Sequence, residues 1–295
     1  MDSSKFTLSL AAILLIIAGI VVACNGEEPQ PEIFPQEISF TKFSLVGDGC
    51  QWVSFESGKV IVINSTEELR NFIVCVDDGR FFQIDFSKYS FLLARGSAES
   101  AVFYIDIDFS KEAAKEYALN LKIHTDVSGV AQTWMIAGIT PKITSGANIV
   151  LNTQELQDTY CTEVYLMGTR WRLLGIVDTE TGALTAPVRA TDFTISFEPT
   201  NMSGREYLFR ADMRGLSPHS LWGNYEFDHN TCTYRFIRPF RSSGTFLSDG
   251  YPWLIYIGFR VSHFFTVSNT QPRIMLLHLR DDDNFLLKYK EIKNE

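Results

Sequence analysis

The chain has 295 residues, with 35 acidic and 26 basic side chains and a net charge of −9. An acidic chain of this kind carries no electrostatic footprint for nucleic acid and gains nothing from an anionic membrane surface. Phe is frequent at 23 and Tyr adds 11. Aromatic and β-branched side chains suit a pleated, half-buried surface, and long helical periodicities are scarce, so the expected class is mostly β.

Lys5 precedes an uncharged run, residues 6–23, "FTLSLAAILLIIAGIVVA". Its length is near the lower limit for a membrane-crossing helix, about 18 residues, and it also fits the apolar segment of a secretory signal. The motif Val21-Val22-Ala23-Cys24 resembles the lipobox of bacterial lipoproteins. That resemblance implies a signal peptide over 1–23, cleavage before Cys24, and acyl chains on the thiol and the new amino group of Cys24. The competing reading is an uncleaved anchor. The flank speaks against it: Glu27, Glu28 and Glu32 stand where a stop-transfer helix would keep Lys or Arg. With Pro29, Pro31 and Pro35, residues 24–36 read as an extended acidic tether. Asn25 stands where an Asp would argue for retention at the inner membrane, and the acidic residues after it resemble the surface-export signal of some Gram-negative lipoproteins. The expected location is therefore the outer membrane of a Gram-negative bacterium, on its periplasmic or outer face, held through the acyl chains on Cys24.

Four further cysteines, Cys50, Cys75, Cys161 and Cys232, fit an oxidising compartment. They allow three pairings. Their split between the two halves favours Cys50–Cys75 and Cys161–Cys232, each worth about 2–4 kcal/mol if formed, against the alternative of buried thiols. No CxxC spacing points to zinc or redox chemistry.

The first folded unit is expected over residues 37–155, as an α+β domain. "KVIVIN" reads as a central strand. Ser65 and Glu68 form a capping box, with Leu69, Phe72 and Ile73 on one helical face, which makes this the clearest helix of the chain. "AVFYIDIDFS" alternates cleanly, placing Phe103, Ile105, Ile107 and Phe109 on one side and Val102, Tyr104, Asp106 and Asp108 on the other. "KEYALNLKIHT" and "AQTWMIAGITP" complete a sheet. "VIVINSTEELRNFI", "IDFSKYSFLLARG" and "WMIAGITPKI" together resemble the small envelope domain named for stabilising a bacterial protease complex. The resemblance implies protein–protein support and carries over no catalytic residue.

Residues 152–160, "NTQELQDTY", read as a polar join. The second unit, 160–295, shows short strands at 8–12-residue spacing, the sign of an all-β curled sheet or barrel. "CTEVYLM", "RWRLLGIVD", "DFTISFEP" and "GNYEFD" open it, and "EFDHNTCTY" and "LRDDDNF" read as hairpins. Trp171-x-Leu173, "TISFEP", "GNYEFD" and the closing "IMLLHLRDDDNFLLKYKEI" resemble META-type and lipocalin-like lipoprotein domains, although the usual Cys-Asn pair is missing from "SLWGNYEF".

No constellation carries a reaction on its own. Asp106 and Asp108 sit two apart on one strand face, a spacing of about 6–7 Å that also arises on any solvated sheet face. Cys50 in "GDGCQW" would need a His base, with His124 or His219 as candidates, and its oxyanion companion is missing. His263 and His278 lie in apolar strands and read as core histidines. Consecutive Asp281–Asp283 lack the alternation of a calcium loop. Trp222, Tyr225, Tyr251 and Trp253 near turns form a candidate patch for a protein or a glycan. No metal, cofactor or catalytic residue is assigned. The expected role is a non-catalytic, lipid-anchored protein that binds another envelope protein. A glycan- or small-ligand-binding lipoprotein is the alternative, and a hydrolase centred on Cys50 or the Asp106–Asp108 face is the third.

Overall fold

A computed structural model describes residues 33–45, 50–53, 55–75, 83–158, 163–186, 193–202, 205–213, 219–242, 262–279 and 284–292. Cys24 and the apolar run before it lie outside these residues. Among the described residues, no helix is long and apolar enough to cross a membrane. The protein is mostly β, as the aromatic and β-branched content predicts. Residues 36–295 form one compact unit.

The first half contains β1 (Gln36–Glu37), β2 (Thr41–Lys42), β3 (Cys50–Trp52), β4 (Val60–Ile63), α1 (Thr66–Arg70) and β5 (Ile73–Cys75). The long strands β6 (Tyr89–Ala98), β7 (Val102–Ala113), β8 (Glu116–Thr125), β9 (Gln132–Pro141) and β10 (Asn148–Gln157) follow. They make two sheets, ordered β1-β7-β8-β10 and β2-β9-β6-β4, and a separate β3–β5 pair. The expected single sheet is thus divided in two. One core fills the space between the sheets, with Leu92, Phe109, Leu119, Leu121 and Trp134. A second covers the far face of β6 and β9, where Phe91, Leu93 and Ala137 meet Leu69 of α1 and Ile73 of β5. Burial on both faces explains why Phe91 to Ala94 are continuously apolar.

The helix is shorter than its pattern suggests. Ser65 Oγ accepts from Glu68 N (3.1 Å), and Glu68 Oε2 accepts from Asn64 N (2.6 Å), so the cap forms. The helix ends at Arg70 because Ile73 is drawn into β5. Cys50 and Cys75 lie opposite each other across β3–β5, and their sulfurs are bonded.

The alternation in β7 breaks at one point. A register shift between Val102 and Tyr104 makes Phe103 a bulge residue. One extra residue reverses the facing of what precedes it. Val102 therefore joins Ile105, Ile107 and Phe109 between the sheets, whereas Phe103 turns outward with Tyr104. The expected grouping of Phe103 with Ile105 fails for this reason. The expected polar join also differs: residues 152–157 continue β10, which runs parallel to β8.

The second half contains β11 (Arg170–Asp178), β12 (Leu184–Thr185), β13 (Phe193–Ser196), β14 (Thr200–Met202), β15 (Arg205–Tyr207), β16 (Phe209–Met213), β17 (His219–Asp228), β18 (Thr233–Ser242), β19 (Ser262–Val267), β20 (Ile274–Leu279) and β21 (Phe285–Ile292). Strands β11, β13 and β16 to β21 pair in that order, and β21 pairs back with β11, which closes an antiparallel barrel of eight strands. Trp171, Phe197, Phe209, Phe265 and Tyr289 fill its interior. An eight-stranded barrel is just wide enough for such a filling. Of residues 161–167, expected as a strand, the described 163–167 form no ladder. They pack Leu166 into the barrel core, where Tyr234 Oη donates to Val164 O (2.7 Å).

Residues 36–42 act as a strap along one side of the sandwich. β1 pairs with β7 and β2 with β9, so the strap crosses from one sheet to the other. Between those pairings Ile38 and Phe40 pack into the core. Phe40 needs the bare backbone of Gly138: a Cβ there would lie 2.2 Å from the ring. Gly138→Ala should displace the strap and cost about 1–3 kcal/mol, the usual scale for overpacking. A thermal melt followed by circular dichroism checks this; an unchanged midpoint would mean that Phe40 relocates at no cost.

Candidate functional site

The chemistry-bearing side chains converge where the sandwich meets the barrel wall. Phe103 and Ala101 pack against Val177, Ile274, Leu276 and Leu286, all facing outward from the barrel. Strand β20 is thus buried on both faces, with Met275 and Leu277 inside the barrel and Ile274 and Leu276 in this seam. Val102 stands opposite Thr125 at the end of the ladder, and side chains satisfy its N–H and C=O, which face away from β8. Val102 N donates to Gln132 Oε1 (2.8 Å), and Val102 O accepts from Lys288 Nζ of β21 (3.2 Å). Burial, with Lys42 nearby, pulls the Lys288 ammonium down to about 8.

Asp126, just past β8, inserts its carboxylate against β19 and β20. Oδ1 accepts from Ala101 N (3.2 Å), Ser128 N (3.0 Å) and Ser128 Oγ (2.6 Å). Oδ2 accepts from Thr266 Oγ1 (2.9 Å) and His278 Nε2 (2.8 Å). Burial alone would raise the pKa of this carboxyl, but His278 and then Ser128 outweigh it and hold the group below the ordinary range. His278 is 2% exposed and stacks on Phe264 at 4.2 Å. No solute reaches it, so it serves as a core histidine paired with a carboxylate.

A second cluster lies at the rim. His124 stacks on Tyr104 at 4.2 Å. Its Nε2 meets Asp106 Oδ2 at 3.1 Å, and its Nδ1 faces Asp158 Oδ2 at 3.8 Å. Thr270 Oγ1 donates to Asp158 Oδ2 (2.5 Å) and accepts from the Tyr104 hydroxyl, which lies 3.4 Å from the same carboxylate oxygen. Burial, opposed by the Thr270 hydrogen bond and aided by the Asp158 and Asp106 charges, pushes the Tyr104 phenol up. Both ring nitrogens of His124 face carboxylates, so the ring is not poised as a base for a nucleophile.

The residues singled out in the sequence fare differently. Cys50 is in a disulfide and has no thiolate to offer, which leaves the hydrolase reading without its cysteine. Each of Asp106 and Asp108 has its own partner: Asp106 Oδ2 lies 3.1 Å from His124 Nε2, and Asp108 Oδ2 accepts from Asn120 Nδ2 (3.3 Å). Cys232 is disulfide-bonded, while Cys161 lies outside the described residues. Trp222 is buried on β17, with the Arg210 guanidinium 5.8 Å from its ring centroid. Tyr225 is half-buried against Phe197 and Phe265. Neither ring offers the open face that a patch requires. Tyr251 and Trp253 lie outside the described residues. Among the described residues, no group of three His, Cys, Asp or Glu side chains is placed to hold a metal ion.

Two outcomes follow from the seam. Asp126→Ala strands His278 and Thr266 and should cost about 3–5 kcal/mol, the scale for removing one member of a buried pair. A depressed carboxyl stabilises the fold above its unfolded pKa, and that stability is lost as pH falls through the folded value. Acid unfolding followed by near-UV circular dichroism should therefore flatten below about pH 4 in Asp126→Asn, the unfolded Asp value being about 3.9. For Lys288 the sign is opposite. The unfolded chain holds the proton more tightly, so stability rises as pH climbs from about 8 towards the unfolded value of about 10.4. The wild type should gain stability relative to Lys288→Met across that window in denaturant titrations; parallel curves would exclude the coupling.

No family model matches the chain, and no curated protein matches it. Among solved structures, an NMR structure of a protein from Burkholderia xenovorans is similar at 16% identity, covering 44% of this chain and 85% of that one, with a TM-score of 0.31. Likeness at that level carries no argument about the fold or the role of this chain.

Proposed function

We propose that the chain is a lipid-anchored protein of the Gram-negative envelope that binds or scaffolds another envelope protein without catalysing a reaction. The carrying observation is that the polar groups gathered at the seam are used in joining the two halves. Asp126, His278, Asp158, Thr270 and Lys288 bond one another or the backbone across it. The product of that arrangement is one compact unit over residues 36–295. The resemblance of Val21-Val22-Ala23-Cys24 to a lipobox supports the anchor, and the Cys50–Cys75 bond is in keeping with an oxidising compartment. The resemblance of the first half to a protease-complex-stabilising domain supports a protein partner over a substrate.

The glycan- or small-ligand reading finds less support. Its mouth residues Trp222 and Tyr225 are packed in the wall, and the barrel interior is occupied by rings.

The anchor and the partner need separate measurements. Cells fed an alkyne palmitate should label the protein, and Cys24→Ser should abolish the label; persistent labelling would place the lipid elsewhere. Mild cross-linking on intact cells, run beside protease shaving, should capture a specific envelope protein. Absence of any captured protein at either membrane face would remove the scaffolding reading.

A further inference from the structure

The sandwich has two long sides, and among the described residues only one is sealed. On the sealed side the strap pairs first with β7 and then with β9, and Ile38 and Phe40 fill the gap between the sheets. On the other side the last strands are β10 and β4, which lie near each other. The core side chains there, Ile149 and Leu151 of β10 and Val60 and Val62 of β4, are only partly buried.

Strand β10 keeps unbroken register with β8 from Asn148 to Gln157. Just before and just after that run, Asn148 N donates to Lys115 O (2.9 Å) and Asp158 N to Thr125 O (2.9 Å). Along a parallel ladder the backbone groups alternate in direction, so even-numbered residues address β8 and odd-numbered ones point away. The N–H and C=O of Ile149, Leu151, Thr153 and Glu155 thus face outward, with no hydrogen-bond partner among the described residues. Natural edges are blunted by Lys, Pro, bulges or short length. This strand has none of these: its one charge is Glu155, and Val150 is 48% exposed.

We propose that β10 is a docking edge, occupied by an extended segment of a partner protein with apolar side chains at alternate positions, added to β10 as Gln36 and Glu37 add to β7. Strand addition draws affinity from main-chain hydrogen bonds and specificity from alternate side-chain pockets. Here the half-covered Ile149, Leu151, Val60 and Val62 form the floor of those pockets. A peptide segment fits better than a second copy. One ten-residue edge falls short of the roughly 1,200 Å² that a stable interface between folded bodies buries. A net charge of −9 on each copy also opposes self-pairing. The inference rests on the protein-binding reading above and narrows it to one edge.

The test places a photoreactive amino acid at Val150 of the full chain on intact cells, with a control position at Tyr165, which is 79% exposed in the second half. Cross-linking at Val150 should join one short segment of one protein, with apolar residues at alternate positions. Thr153→Pro removes an outward N–H and leaves the β8 ladder intact. It should lower the cross-link by about tenfold, as the loss of an edge hydrogen bond with an added ring clash entails, whereas Thr153→Ala should not. Equal melting curves establish that both variants fold, and Glu155→Pro takes over if Thr153→Pro does not. Amide exchange in the isolated chain adds a second readout: Ile149, Leu151 and Thr153 should exchange fast, and Val150, Asn152 and Gln154 slowly. Slow exchange at the odd positions, or a cross-linked segment from a second copy, would overturn the proposal. A protein captured at Tyr165 but not at Val150 would sink the docking edge and leave the scaffolding reading standing; silence at both positions would end both.

Discussion

A carboxylate shut away from water survives only if donors surround it. Asp126 meets that requirement with five hydrogen bonds drawn from three separate parts of the chain: Ala101 beside the bulge, Ser128 in its own turn, and Thr266 with His278 on the barrel wall. The geometry of the seam depends on that one side chain. If β8 slips by a residue, Asp126 loses its donors; if β20 slips, His278 turns into the barrel. A buried ionic group of this kind contributes less to net stability than to the choice of one arrangement among several apolar ones, because leaving it unmatched is far costlier than matching it is favourable.

The seam also accounts for the sequence of the barrel. "IMLLHL" is apolar at nearly every position because both faces of β20 are covered, one by Met275 and Leu277 in the interior and one by Ile274 and Leu276 against Phe103. Two-sided burial hides alternation, just as it does in β6. The bulge at Phe103 is the matching device on the other side of the seam. It turns one aromatic ring out of the sandwich core and into the contact with the barrel, while Gln132 and Lys288 satisfy the backbone of Val102 beside it.

Much of this fold is legible in the sequence, and the reason is locality. The Ser65–Glu68 cap, the alternation of β7 after its bulge, the hairpin at Asp228–Asn230 and the barrel character of the second half all depend on neighbours a few residues apart. The seam is not legible in that way. Asp126 and His278 are 152 positions apart, and Tyr104 and Thr270 are 166 apart. The only local hints were "HTD" at 124–126, which sets a base and an acid on the same side of a strand end, and a histidine in an otherwise apolar strand. Trp222 misled because nearness to a turn in the sequence says nothing about which face of the strand lies inward. The parallel course of β10 was hidden by its polar composition, which is that of an edge strand as much as of a linker.

Strand β21 has two duties. Through Arg170–Asp178 it closes the barrel, and through Leu286 and Lys288 it completes the contact with the sandwich. Its pairing partner lies more than a hundred residues earlier, and β10 pairs in parallel with β8 across the intervening β9, which lies in the opposite sheet. Such distant pairings make for slow assembly, since the entropy of closing long loops is lost before the contacts that compensate for it appear. Without β21 the barrel wall stands open between β20 and β11, and the seam lacks Leu286 and Lys288. Barrel closure and completion of the seam thus depend on the same eight-residue strand.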